Sequence, residues 1–332
     1  MKNISAFKII LQHIIIISIA FIINACEKVD EDLKDPSLAD KWTLFNTSTG
    51  LSGNQIRGIL CDSKDNMWFA VSSNGAAKFS NGTWTYYKTS NSAILSNGIT
   101  CIEEDSDGNI LFGTTNGVSI LSSTNVWSYY RHPTLTLNVT CIKTDNQGKT
   151  WFGTTNQGFF IWTDGSVYQT YSEPFRTVNE IEQDSDGNVW IGTNNGVLKW
   201  DGKSFSLMTM TNGLPDNIVT ELFSDSKNRL WIGTYFGRTV SWIDSQGIHQ
   251  VSLFNGDEIC EINDICEDAA GNIWFATYDS GLIKYDGVVP FAYKIYNGLP
   301  ENDILTSAKD NDGNVWFGLY SKGLMRYSLP ID

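Results

Sequence analysis

Histidine is scarce: this 332-residue chain has three. His13 lies in an N-terminal apolar run, while His132 and His249 sit far apart in different kinds of connection. A histidine-built metal site or an acid–base pair therefore has little to be made from. None of the six cysteines stands in a CxxC, which argues against zinc. There is no Gly-x-Ser-x-Gly, no phosphate loop and no His-rich metal motif. Positive charge is also short, with 23 Lys and Arg against 37 Asp and Glu and a formal net charge of −14. An acidic surface repels phosphate backbones, so nucleic acid is excluded as a partner. Beyond residue 23 no apolar run approaches the roughly 20 residues of a spanning helix. Together these absences predict a protein without catalytic residues, cofactor or metal.

Aromatics, at 13%, and glycines, at 29, are plentiful while charged residues are only 18%. That mixture suits an all-β chain with many turns. The first 25 residues read as an export leader. Lys2 and Lys8 precede an apolar run from Ile9 to Ile23, and small Ala25 stands before Cys26. A plain membrane anchor is the alternative. The stretch "IINAC" resembles the lipobox of bacterial lipoproteins, in which the cysteine becomes the lipid-bearing first residue; that resemblance implies Cys26. Residues 26–40 are polar, carry "EKVDED" and Pro36, and read as a flexible acidic tether. An outer-membrane lipoprotein, periplasmic or surface-exposed, is expected.

One phrase recurs seven times, from "DSKDNMWFA" at 62 to "DNDGNVWFG" at 310. Its aromatic positions are Trp68, Leu111, Trp151, Trp190, Trp231, Trp274 and Trp316, spaced 39 to 43 residues apart. A period near 40 with four short strands per unit predicts propeller blades. The leading Asp of each copy suits a turn that bonds the backbone two residues on. Three residues later stand only Gly, Asn or Asp, the residues that tolerate a left-handed backbone. After each Trp-Phe or Trp-Ile pair comes Gly or Ala, which permits close approach of a neighbour. The repeat Trp residues are expected in the packing between sheets.

The copy "DSDGNVWIGTNNG", residues 184–196, also looks like the start of an EF-hand loop. Such a loop needs Glu at its twelfth place, which here is Asn195, and the copies "DSKNR" and "DAAGN" keep one acid each. The phrase is therefore read as a turn.

The last repeat stops after three strands, and residues 41–56 align without a gap to residues 204–219. The N-terminal segment is thus predicted to supply the outer strand of the last blade, closing one seven-bladed ring over residues 41–332. Cys61, Cys101, Cys141, Cys260 and Cys266 are expected as buried free thiols, because packed sheets lie about 10 Å apart and a disulfide needs Cα atoms within about 7 Å.

The phrases "NGLPDNIVTELFSDSKNRLWIGT" and "NGLPENDILTSAKDNDGNVWFGL" resemble the two-component regulator propeller repeat, over residues 41–332. The family consists mostly of periplasmic sensor parts of histidine kinases. The resemblance implies a seven-bladed propeller that senses carbohydrate or another nutrient. Kinase parts are absent from this sequence, so kinase activity does not carry over.

In a propeller, ligands bind on the face made by the loops between blades and the loops joining second to third strands. In blades 5 to 7 those second-to-third loops carry Tyr235 and Phe236, Tyr278 and Asp279, and Tyr320 and Lys322. Aromatic planes beside polar groups suit sugar rings; ordinary blade-edge packing is the alternative. Four residues before the repeat Asp stand Glu180, Glu221 and Asp264 in adjacent blades, and Arg57 stands one place earlier in its own. These acids are expected at the mouth of the central channel, either as a binding group or as solvated rim charges. The function expected is a lipid-anchored ligand-binding propeller; a protein-interaction scaffold is the alternative, and a propeller lyase or hydrolase a more distant one.

Overall fold

The computed structural model describes residues 41–132, 135–163, 166–171, 175–236, 239–253 and 261–328. The leader, the tether, Cys26, Cys260 and Gly237 lie outside the described residues. Seven four-stranded antiparallel sheets form seven blades, and the chain is an all-β propeller. Blades 1 to 6 occupy residues 56–87, 99–130, 139–171, 178–208, 219–252 and 262–293. Each runs outward in chain order, from an inner strand at the axis to an outer strand.

Blade 7 is built from both ends of the ring. Its strands Ile304–Lys309, Val315–Leu319 and Leu324–Tyr327 are completed by Trp42–Phe45. The register pairs Trp42 with Tyr327 and Phe45 with Leu324, as the alignment of residues 41–56 predicts. The inner strand of blade 7 flanks that of blade 1, so the ring is closed.

Every second strand is buried along its whole length. Trp151, Trp231, Trp274, Trp316 and Phe69 are among the largest side chains with almost no exposure. The small residue after them is set by distance: a Cβ on Gly233 would lie 2.9 Å from Ile262 of the next blade.

The repeat turns are left-handed at the expected place in all seven copies. The residues are Asp65, Gly108, Gly148, Gly187, Asn228, Gly271 and Gly313, with φ between +59° and +85°. The leading Asp does more than cap the turn. In six copies its Oδ2 also accepts the indole N–H six residues on, from Trp68, Trp151, Trp190, Trp231, Trp274 and Trp316, at 2.7–3.0 Å. Asp184, the first residue of the calcium-like phrase, accepts from Asp186 N, Asn188 N, Asn188 Nδ2 and Trp190 Nε1, so both its oxygens are engaged by the protein.

Candidate functional site

All seven inner strands line a central channel of about 560 Å³. Near its start, each inner strand slips register against its neighbour, between Ile56 and Gly58 in blade 1 and at the matching place in the others. Such a bulge re-aims a side chain. In five blades the re-aimed residue reaches the next blade. Thr100, Thr140 and Thr220 donate through Oγ1 to the carbonyls of Val139, Val178 and Ile262 at 2.5–2.6 Å. Asn179 and Asn263 donate through Nδ2 to Val219 and Ile304 at 2.6 and 2.8 Å. This girdle joins blades 2 to 7. Leu305 and Arg57 occupy its place in blades 7 and 1; Arg57 is exposed and its Nε donates to Ser72 Oγ at 3.4 Å.

The next residue along contributes the acids. Glu180, Glu221 and Asp264 line the channel, together with Cys101, Cys141 and Thr306 in the other blades. All three are half-buried in the channel lining. Burial pushes the Glu180 carboxyl up to about 8, with Glu182 and Asp264 adding to it. Burial, then Glu180 and Asp264, hold Glu221 well above the usual carboxylate range. Asp264 is raised by burial to about 6, although it accepts from Ser307 N at 2.8 Å and Ser307 Oγ at 3.1 Å. Deeper in the channel, burial raises Glu103 to about 7. Lys143 Nζ lies 2.9 Å from Glu182 Oε2; burial opposes its charge, but Glu182 and Glu103 outweigh that and hold it protonated. Cys101, Cys141 and Cys266 are free thiols, raised far up by burial, and Cys61 is also free. Cys61 and Cys101 are half-buried, not fully buried as expected, whereas Cys141 and Cys266 in the same channel lining are buried.

On one face of the ring, the second-to-third turns surround the channel mouth. Their first residues are Ser72, Thr115, Thr155 and Asn194 in blades 1 to 4, then Tyr235, Tyr278 and Tyr320 in blades 5 to 7. Half the mouth is thus small and polar and half aromatic. The three tyrosines are 39%, 54% and 49% exposed and Phe236 58%, which is not edge packing. Their backbones are nonetheless fixed. Tyr235, Tyr278 and Tyr320 donate through N to the carbonyls of Ile218, Glu261 and Asp303 at 2.9–3.1 Å. Phe236 N donates to Asp216, Asp279 N to Asp303, and Ser321 N and Lys322 N to Glu301. Rings carried on hydrogen-bonded turns spare the backbone share of the ordering cost when a ligand arrives.

Beneath Tyr235 a vestibule of about 460 Å³ opens over the girdle, between Asn194, Tyr235, Glu261 and Asn263. Sequence reasoning missed Glu261 and the girdle. The girdle's signal was present as Thr or Asn five residues before the repeat Asp in five copies. The structure brings Tyr235 to the vestibule and Arg57, Glu180, Glu221 and Asp264 to the channel. Phe236, Tyr278, Asp279, Tyr320 and Lys322 lie on the turns around them.

No curated protein matches this sequence. Solved structures share the fold. The extracellular domain of a hybrid two component system from B. thetaiotaomicron is 23% identical with a TM-score of 0.74, covering 88% of this chain and 41% of that one. Virginiamycin B lyase from Staphylococcus aureus is 17% identical with a TM-score of 0.73, covering 87% of this chain and 99% of that one. PorZ, a surface component of the type-IX secretion system of Porphyromonas gingivalis, is 16% identical with a TM-score of 0.63, covering 84% and 46%. At these identities the likeness is one of fold. The model of the two component regulator propeller matches residues 50–73, 93–116, 172–195, 213–236, 258–279 and 298–321. Blade 3 is the copy the model leaves unmatched, yet it has the same four strands. Six matched repeats, each spanning the end of one blade connection and the first two strands of the next, show that this chain is built of two-component regulator propeller repeats.

Proposed function

We propose that this chain is a ligand-binding propeller of the bacterial cell envelope, held by lipid at Cys26, which binds a carbohydrate or similar nutrient at its channel mouth without turning it over. The observation that carries this reading is the half-ring of Tyr235, Tyr278 and Tyr320, exposed on fixed turns beside the vestibule. Flat apolar faces next to the polar half of the mouth match the two sides of a sugar ring. Location in the envelope is supported by the leader-like N-terminus and by the extracellular and surface character of two proteins that share the fold. No helix among the described residues is long and apolar enough to cross a membrane.

A glycan array with the purified protein and a Tyr278→Ala/Tyr320→Ala variant tests it. The variant should bind about tenfold more weakly or worse, since each aromatic platform is worth roughly 1 kcal/mol. Binding to no glycan, or equal binding by the variant, would sink the proposal.

A scaffold for an envelope protein is the second reading. It is favoured by Met210, Ile295 and Tyr296, which stand 54%, 57% and 65% exposed on blade connections of the same face. Cross-linking in membranes separates the two: a scaffold recovers a stable protein partner without sugar, and loses it on Ile295→Lys.

A further inference from the structure

We propose that the channel wall of blades 4 to 6 is a pH-operated catch: Glu180, Glu221 and Asp264 stand at the same place on three consecutive inner strands and line one channel, so that mutual repulsion as the last protons leave the cluster loosens that arc of the ring. The argument begins with geometry. The three acids occupy the same place in neighbouring blades and line one channel. Each lies one residue past the bulge that carries a girdle donor, so the acids and the girdle share the same few residues of backbone.

The charges that face them do not balance them. From blade 3 come Lys143 and Cys141, from blade 2 Glu103 and Cys101, and from their own strands Glu182, Cys266 and Glu267. Lys143 is already committed to Glu182 at 2.9 Å, and Glu267 accepts from Ser226. Arg57 and Lys309 line the channel from blades 1 and 7. Neither figures among the leading influences on the three acids, which are burial, one another, Glu182, Lys143 and backbone or hydroxyl donors. Like carboxylates on neighbouring strands of one channel wall resist ionising together.

The direction of the pH effect follows by linkage. An acid whose folded value is raised contributes stability that is complete below the ordinary carboxylate range and lost as pH rises through the folded value. For this arc the loss runs from the ordinary range through about 6 for Asp264 and about 8 for Glu180. The strands affected carry Asn179, Thr220 and Asn263, which floor the vestibule, so the mouth would register the change.

Hydrogen exchange of the purified protein at about pH 6 and about pH 8.5, corrected for intrinsic chemistry, reads the effect blade by blade. Exchange in residues 178–183, 219–224 and 262–267 should rise about tenfold or more relative to residues 56–61, an inner strand that carries no acid. The melting temperature should fall by about 5 °C over the same interval, and Glu221→Gln should flatten that fall. A uniform change around the ring overturns the proposal. So does a Glu221→Gln protein with the wild-type pH slope. Full recovery at about pH 8.5 on adding millimolar calcium also overturns it, because a cation would then be replacing the protons.

Discussion

An aspartate and a tryptophan six residues apart are the smallest unit that holds this ring. The carboxylate ends the turn, and its second oxygen fixes the indole between two sheets. Across the strand pair a cation often covers the ring: Lys78 lies 5.1 Å from the Trp68 centroid, Lys199 4.8 Å from Trp190 and Lys284 5.2 Å from Trp274. In blade 5 the cation is Arg229, which also binds Asp225 at 2.6 Å. Asp225→Asn would turn an amide N–H toward an indole N–H and a guanidinium, and should cost about 2–3 kcal/mol. Asp105→Asn, in the copy with Leu111 in place of Trp, should cost about 1 kcal/mol or less. Chemical denaturation of both variants checks this, and equal losses would refute the role given to the indole bond. The turn role of the aspartate was legible from the left-handed residue behind it. The bond to Trp was not, because it needs the first and second strands already paired. The constant interval of six, and its single exception at Leu111, was the available clue.

Among the elements, the N-terminal strand has the largest effect for its length. Its four residues face two neighbours at once. Trp42 meets Tyr327 at 4.8 Å, Tyr293 at 5.8 Å and Trp274 at 6.3 Å, toward blade 6. Phe45 stacks on Trp316 at 5.2 Å and meets Phe79 of blade 1 at 6.0 Å. Deleting residues 41–50 should therefore leave blade 7 with an unpaired edge and lower the melting temperature by about 10 °C or more. An unchanged melt would contradict the closure. This strand was fully legible, since a gapless alignment to residues 204–219 carries strand type, order and register together. The inner strands were less so. Ordinary strands alternate faces with a period of two, and a one-residue bulge exchanges which neighbour looks at the channel. The acids could still be expected along the channel, but the girdle residue beside each of them could not be read from the alternation. Thr140→Val, which removes one girdle bond at equal volume, should cost about 1–2 kcal/mol. Thermal melting would show it as a drop of a few degrees, and no drop would remove the girdle from the account of stability.

At the level of the whole molecule, closure decides how the protein comes apart. Open repeat arrays can unfold unit by unit, because each unit touches only its neighbours. Here the last unit borrows its outer strand from the start of the chain, so no blade is terminal. Unfolding should be a single transition, with tryptophan fluorescence and far-ultraviolet circular dichroism superimposing across urea. Separated transitions would contradict this, and would point to the seams on either side of blade 1, where no girdle bond is found among the described residues. The seven copies, with the N-terminal segment that completes the last of them, were enough to predict one seven-bladed ring. The difference between the polar and aromatic halves of the mouth was also visible in the sequence, because it lies in loops whose composition varies freely once the turn is set. What the period could not supply is which side chain each bulge turns toward the next blade.

The pairing of Trp42 with Tyr327 also has a practical side. Both are the ends of their strands farthest from the turn at Gly323, so the chain enters and leaves the ring on the face opposite the tyrosines. A tag, a surface linker or a fluorophore joined directly at residue 41 or 328 of a trimmed protein would therefore emerge behind the molecule. A sensor chip coated in this way would present every copy with its aromatic half-ring open to the solution.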